Sequence, residues 1–196
     1  MVNKEHSGVI DVCNISSDYR IYYLVGMMGT GKTTIGKQLA KHIDGDFIDL
    51  DQYIEQSVGY SISEIFARDG EAKFRKLETN ALEKISSEYS SQCLVVATGG
   101  GAFEKDYNRQ IMSDTGVVIW LIASPAEIAK RLANDTTRPL LQENTQLELI
   151  DRIDSILSAR KHNYQLADLH IVTEGKTETN IIEEIVSYIT STKSNS

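Results

Sequence analysis

Residues 26–33 read Gly-Met-Met-Gly-Thr-Gly-Lys-Thr, a match to G-x-x-x-x-G-K-[ST], and the stretches on either side restrict the chain further. Before the loop, residues 21–25 (Ile-Tyr-Tyr-Leu-Val) are apolar, aromatic and β-branched, which predicts a buried strand. After it, Ile35, Leu39 and Ile43 recur at four-residue spacing and predict a helix over 31–43. A strand, a glycine-rich loop and a helix in that order make a phosphate cradle. Glycines let backbone N–H groups turn inward without a Cβ clash, and the helix aims its positive end at the anion. In such a loop the lysine, here Lys32, reaches the β and γ phosphates, and the hydroxyl, here Thr33, ligates Mg²⁺. A chance match in a chain of this length has a probability of about 1%, so an incidental lysine in a flexible turn is the weaker reading.

The rest of the chain repeats the alternation. Apolar runs at 47–50, 93–97, 117–122 and 169–172 predict four more short strands. Between them, Ser61 with Glu64 fits a capping box for a short helix, and 71–89 carries Phe74, Leu77, Leu82 and Ile85 on a longer one. Ser124-Pro125-Ala126-Glu127 is a helix start with an N-cap, a proline at the first position and an acid three residues on, and that helix ends near Leu132. Helices also follow over 145–163 and around Ile181, Ile182, Ile185, Val186 and Ile189. Residues 134–145 are polar, contain Pro139 and predict a mobile flap. Strands alternating with helices mean an α/β fold with a parallel sheet covered on both faces. The expected organisation is a polar N-terminal extension (1–20), one domain (21–190) and a polar C-terminal tail (191–196).

Bulk properties remove several function classes. Of 196 residues, 41% are hydrophobic and 24% charged, which is globular rather than disordered, and the net charge of -8 disfavours a nucleic-acid partner. Two cysteines, Cys13 and Cys93, are too few for a disulfide framework or a zinc site. Cys93 opens an apolar run and is expected in the core. The longest strong apolar run, 117–123, is far too short to cross a bilayer, and residues 1–20 lack the apolar stretch of a secretory signal. A cytoplasmic monomer is the expectation.

Two segments suit a second substrate. Asp49-Leu50-Asp51 closes the second predicted strand, with both carboxylates on one side at the carboxyl end of the sheet. One can approach Mg²⁺ through water and the other can take a hydroxyl proton; equally, the pair can cap the helix that follows. Thr98-Gly99-Gly100-Gly101 follows a strand, where three glycines can bring bare backbone N–H groups to a ligand or simply make a flexible turn. Arg75, Arg131, Arg138 and Arg160 have nothing local that separates them from surface cations, except that Arg131 and Arg138 flank the flap, where an arginine can swing onto a transferred phosphate.

Taken together, five segments resemble shikimate kinase in order and in residue type: GMMGTGKTTIG at 26–36, FIDLD at 47–51, GEAKFRKLE at 70–78, ATGGG at 97–101 and RLANDTTRPLL at 131–141. The resemblance covers about residues 20–190. It implies a P-loop NTPase-type, five-stranded parallel sheet with a substrate-binding helical region and a closing lid. It implies ATP-dependent phosphorylation of the shikimate 3-hydroxyl, within aromatic amino-acid biosynthesis, with Mg²⁺ as cofactor. The implied roles follow residue by residue. Gly29, Thr30, Gly31, Lys32, Thr33 and Thr34 hold ATP, Arg131 packs near the adenine, and Thr33 with Asp49 serves the metal. Asp51 holds ring hydroxyls at or near the catalytic base, Arg75 and Arg160 clamp the carboxylate, and Gly99, Gly100 and Gly101 line the ring. Lys32 and Arg138, the latter from the lid, act on the transferred phosphate. Family members often have a proline and a tyrosine soon after the second clamp arginine; Lys161-His162-Asn163-Tyr164 keeps only the tyrosine.

Other readings have their own discriminators. A GTPase usually carries N-K-x-D, which is absent. A related small-molecule kinase, such as a gluconate kinase, would not need the Asp51, Arg75, triple-glycine and Arg160 set. A catalytically silent nucleotide-binding protein would tolerate loss of Lys32, Asp51 or Arg138, and all three are present.

Overall fold

The structure is a computed structural model of the chain, and it describes residues 21–89, 93–133 and 145–191. Five parallel strands, β1 (Ile21–Val25), β2 (Asp46–Asp49), β3 (Leu94–Ala97), β4 (Gly116–Ile122) and β5 (Leu169–Val172), form one sheet in the order β2-β3-β1-β4-β5. The chain leaves β1 toward one edge and, after β3, crosses to the other. The carboxyl ends of β1 and β3 therefore meet at the reversal of strand order, where open α/β sheets bind ligands.

Alternation along each strand builds two cores. Ile21, Tyr23 and Val25 face one side of the sheet with Leu94, Val96, Val118 and Trp120. They pack there against Leu50 and Ile54 of α2 (Leu50–Val58) and Phe74, Leu82 and Ile85 of α3 (Ile62–Glu88). The same side takes Met112 of α4 (Asp106–Thr115) and Tyr164, the last residue of a helix over Gln146–Tyr164. Tyr22, Leu24, Val95, Ile119 and Leu121 face the other side, under α1 (Lys32–His42) and the C-terminal helix over Glu178–Ser191. A third, smaller cluster joins Met27 and Ala123 to α5 (Pro125–Leu132) and to Ile153 of α6, the Gln146–Tyr164 helix. The last helix is α7.

All five predicted strands are present, each within about one residue of its expected bounds. Ser61 and Glu64 form the predicted capping box and Ser124 caps α5 as expected; Thr145 and Glu148 form a further capping box on α6 that was not predicted. The two helices expected on either side of residue 70 are one span broken at Gly70, whose φ of 78° and ψ of 173° are non-helical. The sequence reading missed α4 and the single 3-10 turn Ala102–Glu104 before it. The buried positions of α4 are Asn108 and Met112 and its N-cap is Lys105, so neither an apolar stripe nor a capping residue announces it. Cys93 is buried just before β3, as expected. The flap over 134–145 lies, apart from Thr145, outside the described residues, as do residues 1–20 and 192–196.

Candidate active site

The phosphate loop turns directly out of β1. Gly31 precedes α1 with φ 97° and ψ 12°, a left-handed conformation that suits glycine, and no side chain caps the helix. The first turn of α1 also lacks an acidic residue, while Ser61, Ser124 and Thr145 cap α3, α5 and α6, each with a glutamate in the first turn. The positive end of α1 is thus left available to an external anion. Lys32 Nζ donates to the carbonyls of Gly26 (2.8 Å) and Met27 (2.9 Å), which holds the ammonium over the loop. Thr30 is buried, and its hydroxyl donates back to Met27 O at 2.8 Å; it stabilises the loop rather than lining the main cavity.

That cavity, of about 430 Å³, opens between the loop and the ends of β2 and β3. Gly29, Gly31, Lys32, Thr33 and Thr34 form one wall; Asp49, Asp51, Gly99 and Gly100 form the other, with Arg131 at the rim. The Thr33 hydroxyl donates to Asp49 Oδ2 at 2.9 Å, so the two residues expected near a metal are neighbours. Asp49 Oδ1 also accepts from Gln52 N (3.3 Å) and caps α2. The capping reading and the metal-side reading therefore describe the same side chain. Asp51 is displaced from its expected place: β2 ends at Asp49, and Asp51 sits in the first turn of α2. Strand alternation does not bring the two carboxylates together. The sharp strand-to-helix turn at Asp49 does.

Two glycines of the triplet let side-chain ends approach the backbone closely. A Cβ on Gly99 would lie 2.9 Å from Asp51 Oδ1, and a Cβ on Gly101 would lie 2.7 Å from an Arg75 guanidinium nitrogen. Arg160 Nη1 and the Tyr164 hydroxyl both donate to Gly100 O, the former at 3.0 Å. Arg75, Arg160 and Asp51, separated by up to about a hundred residues of chain, so converge on three consecutive glycines.

Glu78 belongs to this group although the sequence reading gave it no role. Its side chain is 1% exposed, and Arg75 Nη1 donates to both of its oxygens at 3.1 and 3.2 Å. The Glu78 carboxyl is pushed up to about 7, chiefly by burial and in small part by Asp51, against the downward pull of the Arg75 guanidinium and, more weakly, Arg160. Burial disfavours the charge on Arg75, but Glu78 and Glu71 outweigh that and its pKa rises. The available signal was the i,i+3 spacing of Arg75 and Glu78 on a helix. Tyr164, buried and with its phenol pushed up to about 12 by burial, was visible only as a retained family residue. Arg138 lies outside the described residues.

Arg131 spans three elements. Its Nε donates to Glu127 (2.9 Å), and its Nη1 donates to Gly29 O (3.3 Å) and to the Thr173 hydroxyl (3.2 Å). Behind it a second cavity, of about 280 Å³, runs between Thr30, Gly31 and Thr34 on one side and Thr173, Lys176 and Ile181 on the other.

A phosphate loop at the switch point of a five-stranded parallel sheet defines a P-loop nucleotide-binding protein. A cationic and acidic pocket facing the loop is the arrangement of a small-molecule kinase within that class. The family profile for shikimate kinase matches residues 28–190. A shikimate kinase from Geobacter sulfurreducens is 41% identical over 176 residues, 90% of this chain and 94% of the relative. The solved structure of shikimate kinase from Acinetobacter baumannii in complex with shikimate superposes with a TM-score of 0.81 at 34% identity, covering 89% of this chain and 95% of that one. The chain belongs to the shikimate kinase family. A gluconokinase from Sinorhizobium meliloti, covering 91% of this chain and 97% of its own, reaches a TM-score of 0.54 at 15% identity and shares the fold alone.

Proposed function

We propose that this chain transfers the γ-phosphoryl group of ATP to the 3-hydroxyl of shikimate, giving shikimate 3-phosphate and ADP. The observation that carries the reading is the convergence of Asp51, Arg75 and Arg160 on Gly99, Gly100 and Gly101, directly across one cavity from the phosphate loop. A polyhydroxy carboxylate needs a cationic fork for its acid and an acceptor for its hydroxyls. Arg75 and Arg160 supply the cations, and Asp51 supplies the acceptor.

In this reading the loop N–H groups of residues 29–34 hold the phosphates, and the nucleoside continues into the second cavity beside Arg131. Thr33 and Asp49 fit Mg²⁺: they are adjacent hard oxygen donors beside the phosphate site. Magnesium beside phosphates keeps its waters and needs one or two carboxylates rather than an all-protein cage. When bound, the ion supplies charge neutralisation on the phosphate oxygens. Lys32 stabilises charge on the transferred group, Asp51 orients the 3-hydroxyl and draws off its proton, and Arg138 closes from the lid. We further place the enzyme in the cytoplasm as a monomer; its charge of -8 suits neither nucleic acid nor an anionic membrane, and among the described residues no helix is long and apolar enough to cross a membrane.

The test is ADP release, coupled to a spectroscopic readout, against a panel of polyhydroxy acids that includes shikimate and gluconate, with product mass determined. Shikimate should be the fastest substrate and gain the mass of one phosphoryl group. A faster rate with gluconate, or ADP release without a phosphorylated product, would overturn the assignment.

A further inference from the structure

Thr173 follows β5 directly and is 3% exposed, yet its hydroxyl is not needed to satisfy the sheet. Ile122 O, at the end of β4, already accepts the Thr173 backbone N–H at 2.8 Å; the hydroxyl donates to the same carbonyl at 3.1 Å. Among the described residues, the other contact of that hydroxyl is the Nη1 of Arg131, at 3.2 Å. A guanidinium can only donate, and a hydroxyl has one proton. The proton therefore goes to Ile122 O, and a lone pair is left aimed at Arg131. The direction of the pair is set by the sheet, not by solvent.

We propose that Thr173 is a positioning residue that fixes the plane of the Arg131 guanidinium as a wall of the nucleoside cavity. The proposal rests on the reading that this cavity takes the nucleoside part of ATP. Glu127, one turn earlier on α5, sets where Arg131 stands along its helix through Nε. The Gly29 carbonyl ties the same guanidinium to the phosphate loop. Thr173 and Gly29 O share Nη1, Thr173 from the far side of the cavity; the two N–H bonds of Nη1 lie in the guanidinium plane, so engaging both fixes that plane. With the Arg131 side chain about one-third exposed (31%), two anchors leave it free to rotate about the line joining them. Thr30, Gly31, Thr34 and Ile35 contribute no side-chain charge to the cavity, and its other charged lining residues, Lys176 and Glu178, are engaged by Glu184 and Gln38.

Thr173→Val removes the hydroxyl at nearly constant volume and keeps the backbone bond to Ile122. It should raise the KM for ATP about fivefold, the worth of one hydrogen bond of ordinary strength, with kcat and the shikimate KM unchanged. Thr173→Ser should restore the wild-type value. In an Arg131→Ala background, Thr173→Val should add nothing, because its effect runs through that arginine. Binding measured by displacement should weaken for ATP and not for inorganic tripolyphosphate, which lacks a nucleoside. Equal weakening for tripolyphosphate, a shikimate KM that moves with the ATP KM, a serine variant as impaired as valine, or additivity with Arg131→Ala would each overturn the positioning role. If Arg131→Ala leaves the ATP KM unchanged, the nucleoside reading of the cavity fails, and the Thr173 proposal with it. If Arg131→Ala raises that KM and Thr173→Val does not, only the Thr173 proposal fails.

Discussion

The two walls of the main cavity are built in different ways. The phosphate wall is local: eight consecutive residues and the helix they start provide the backbone donors, the ammonium and the hydroxyl. The opposite wall is assembled from Asp49 and Asp51 with Gly99 and Gly100, and α3 and the end of α6 back it through contacts between elements: Arg75 with Glu78, Arg160 and Tyr164 with Gly100, and Asp51 against Gly99. A local wall is fixed once its short segment folds. An assembled wall depends on the packing of the whole sheet side on which Tyr23, Phe74 and Trp120 meet. Mutations in the first should therefore act on chemistry and nucleotide, and mutations in the second on the acceptor substrate.

The largest effect should come from the local wall. Lys32→Met removes the ammonium that rests on Gly26 and Met27. It should lower kcat by about 10³-fold, the upper range for losing one preorganised donor at the transferred charge. Steady-state rates with both substrates saturating provide the check. A loss below tenfold would show that the loop carries its charge through backbone alone.

Asp51 stands on the assembled wall but carries a proposed role in the chemistry, and it sharpens the division. Asp51→Asn keeps size and one acceptor oxygen but cannot take a proton. If Asp51 is the base, kcat should fall by about 10²-fold or more with a smaller change in shikimate KM. A near-normal kcat at saturating shikimate would leave Asp51 an orienting group only, which a loose phosphoryl-transfer transition state permits.

Next comes the assembled wall alone. Arg75→Ala should raise the shikimate KM by about 10- to 100-fold, the worth of charge-assisted hydrogen bonds to a carboxylate, and leave ATP affinity within twofold or so. Lysine should rescue only in part, because the planar fork is lost. Titration calorimetry with each ligand separately decides it; a parallel loss of ATP affinity would mean the walls are not independent.

The same division explains what could be read from the chain. The phosphate wall was legible because its chemistry and spacing lie in one window, and the strands were legible because β1, β3 and β4 are nearly continuous apolar runs. Arg75 and Arg160 looked like surface cations; only resemblance to a family joined them to Asp51 and the glycines. Glu78 stayed hidden because burial of an acid cannot be inferred from helical spacing, and α4 stayed hidden because it buries Asn108, hydrogen-bonded to Ala102 O and Thr79, where an apolar residue would have been the signal. Asp51 was assigned to the wrong element because β2 stops two residues short of it, at an aspartate that serves as the cap of the next helix.

The smallest expected effect probes the hidden acid. Glu78 is buried beside Arg75, and its carboxyl is raised, chiefly by burial, from 4.5 to about 7. A folded-state pKa above the unfolded value means the folded chain binds the proton more tightly. The stabilisation this gives is full below about pH 4.5 and is lost as pH rises through 7. Glu78→Gln cannot ionise, so it should not share that loss. Its melting temperature relative to wild type should climb between pH 5 and pH 8, by about 5 °C for a chain of this size. The glutamine oxygen can still accept from Arg75 Nη1, but without charge and at one point instead of two, so the shikimate KM should rise about threefold at pH 8 while the ATP KM stays put. Differential scanning calorimetry at the two pH values, with kinetics at pH 8, reads both effects. A melting difference that is flat with pH would mean that Arg75 outweighs burial and Glu78 is ionised throughout. In that case the assembled wall is held by a permanent ion pair, and its grip on the acceptor substrate should lose its dependence on pH near neutrality.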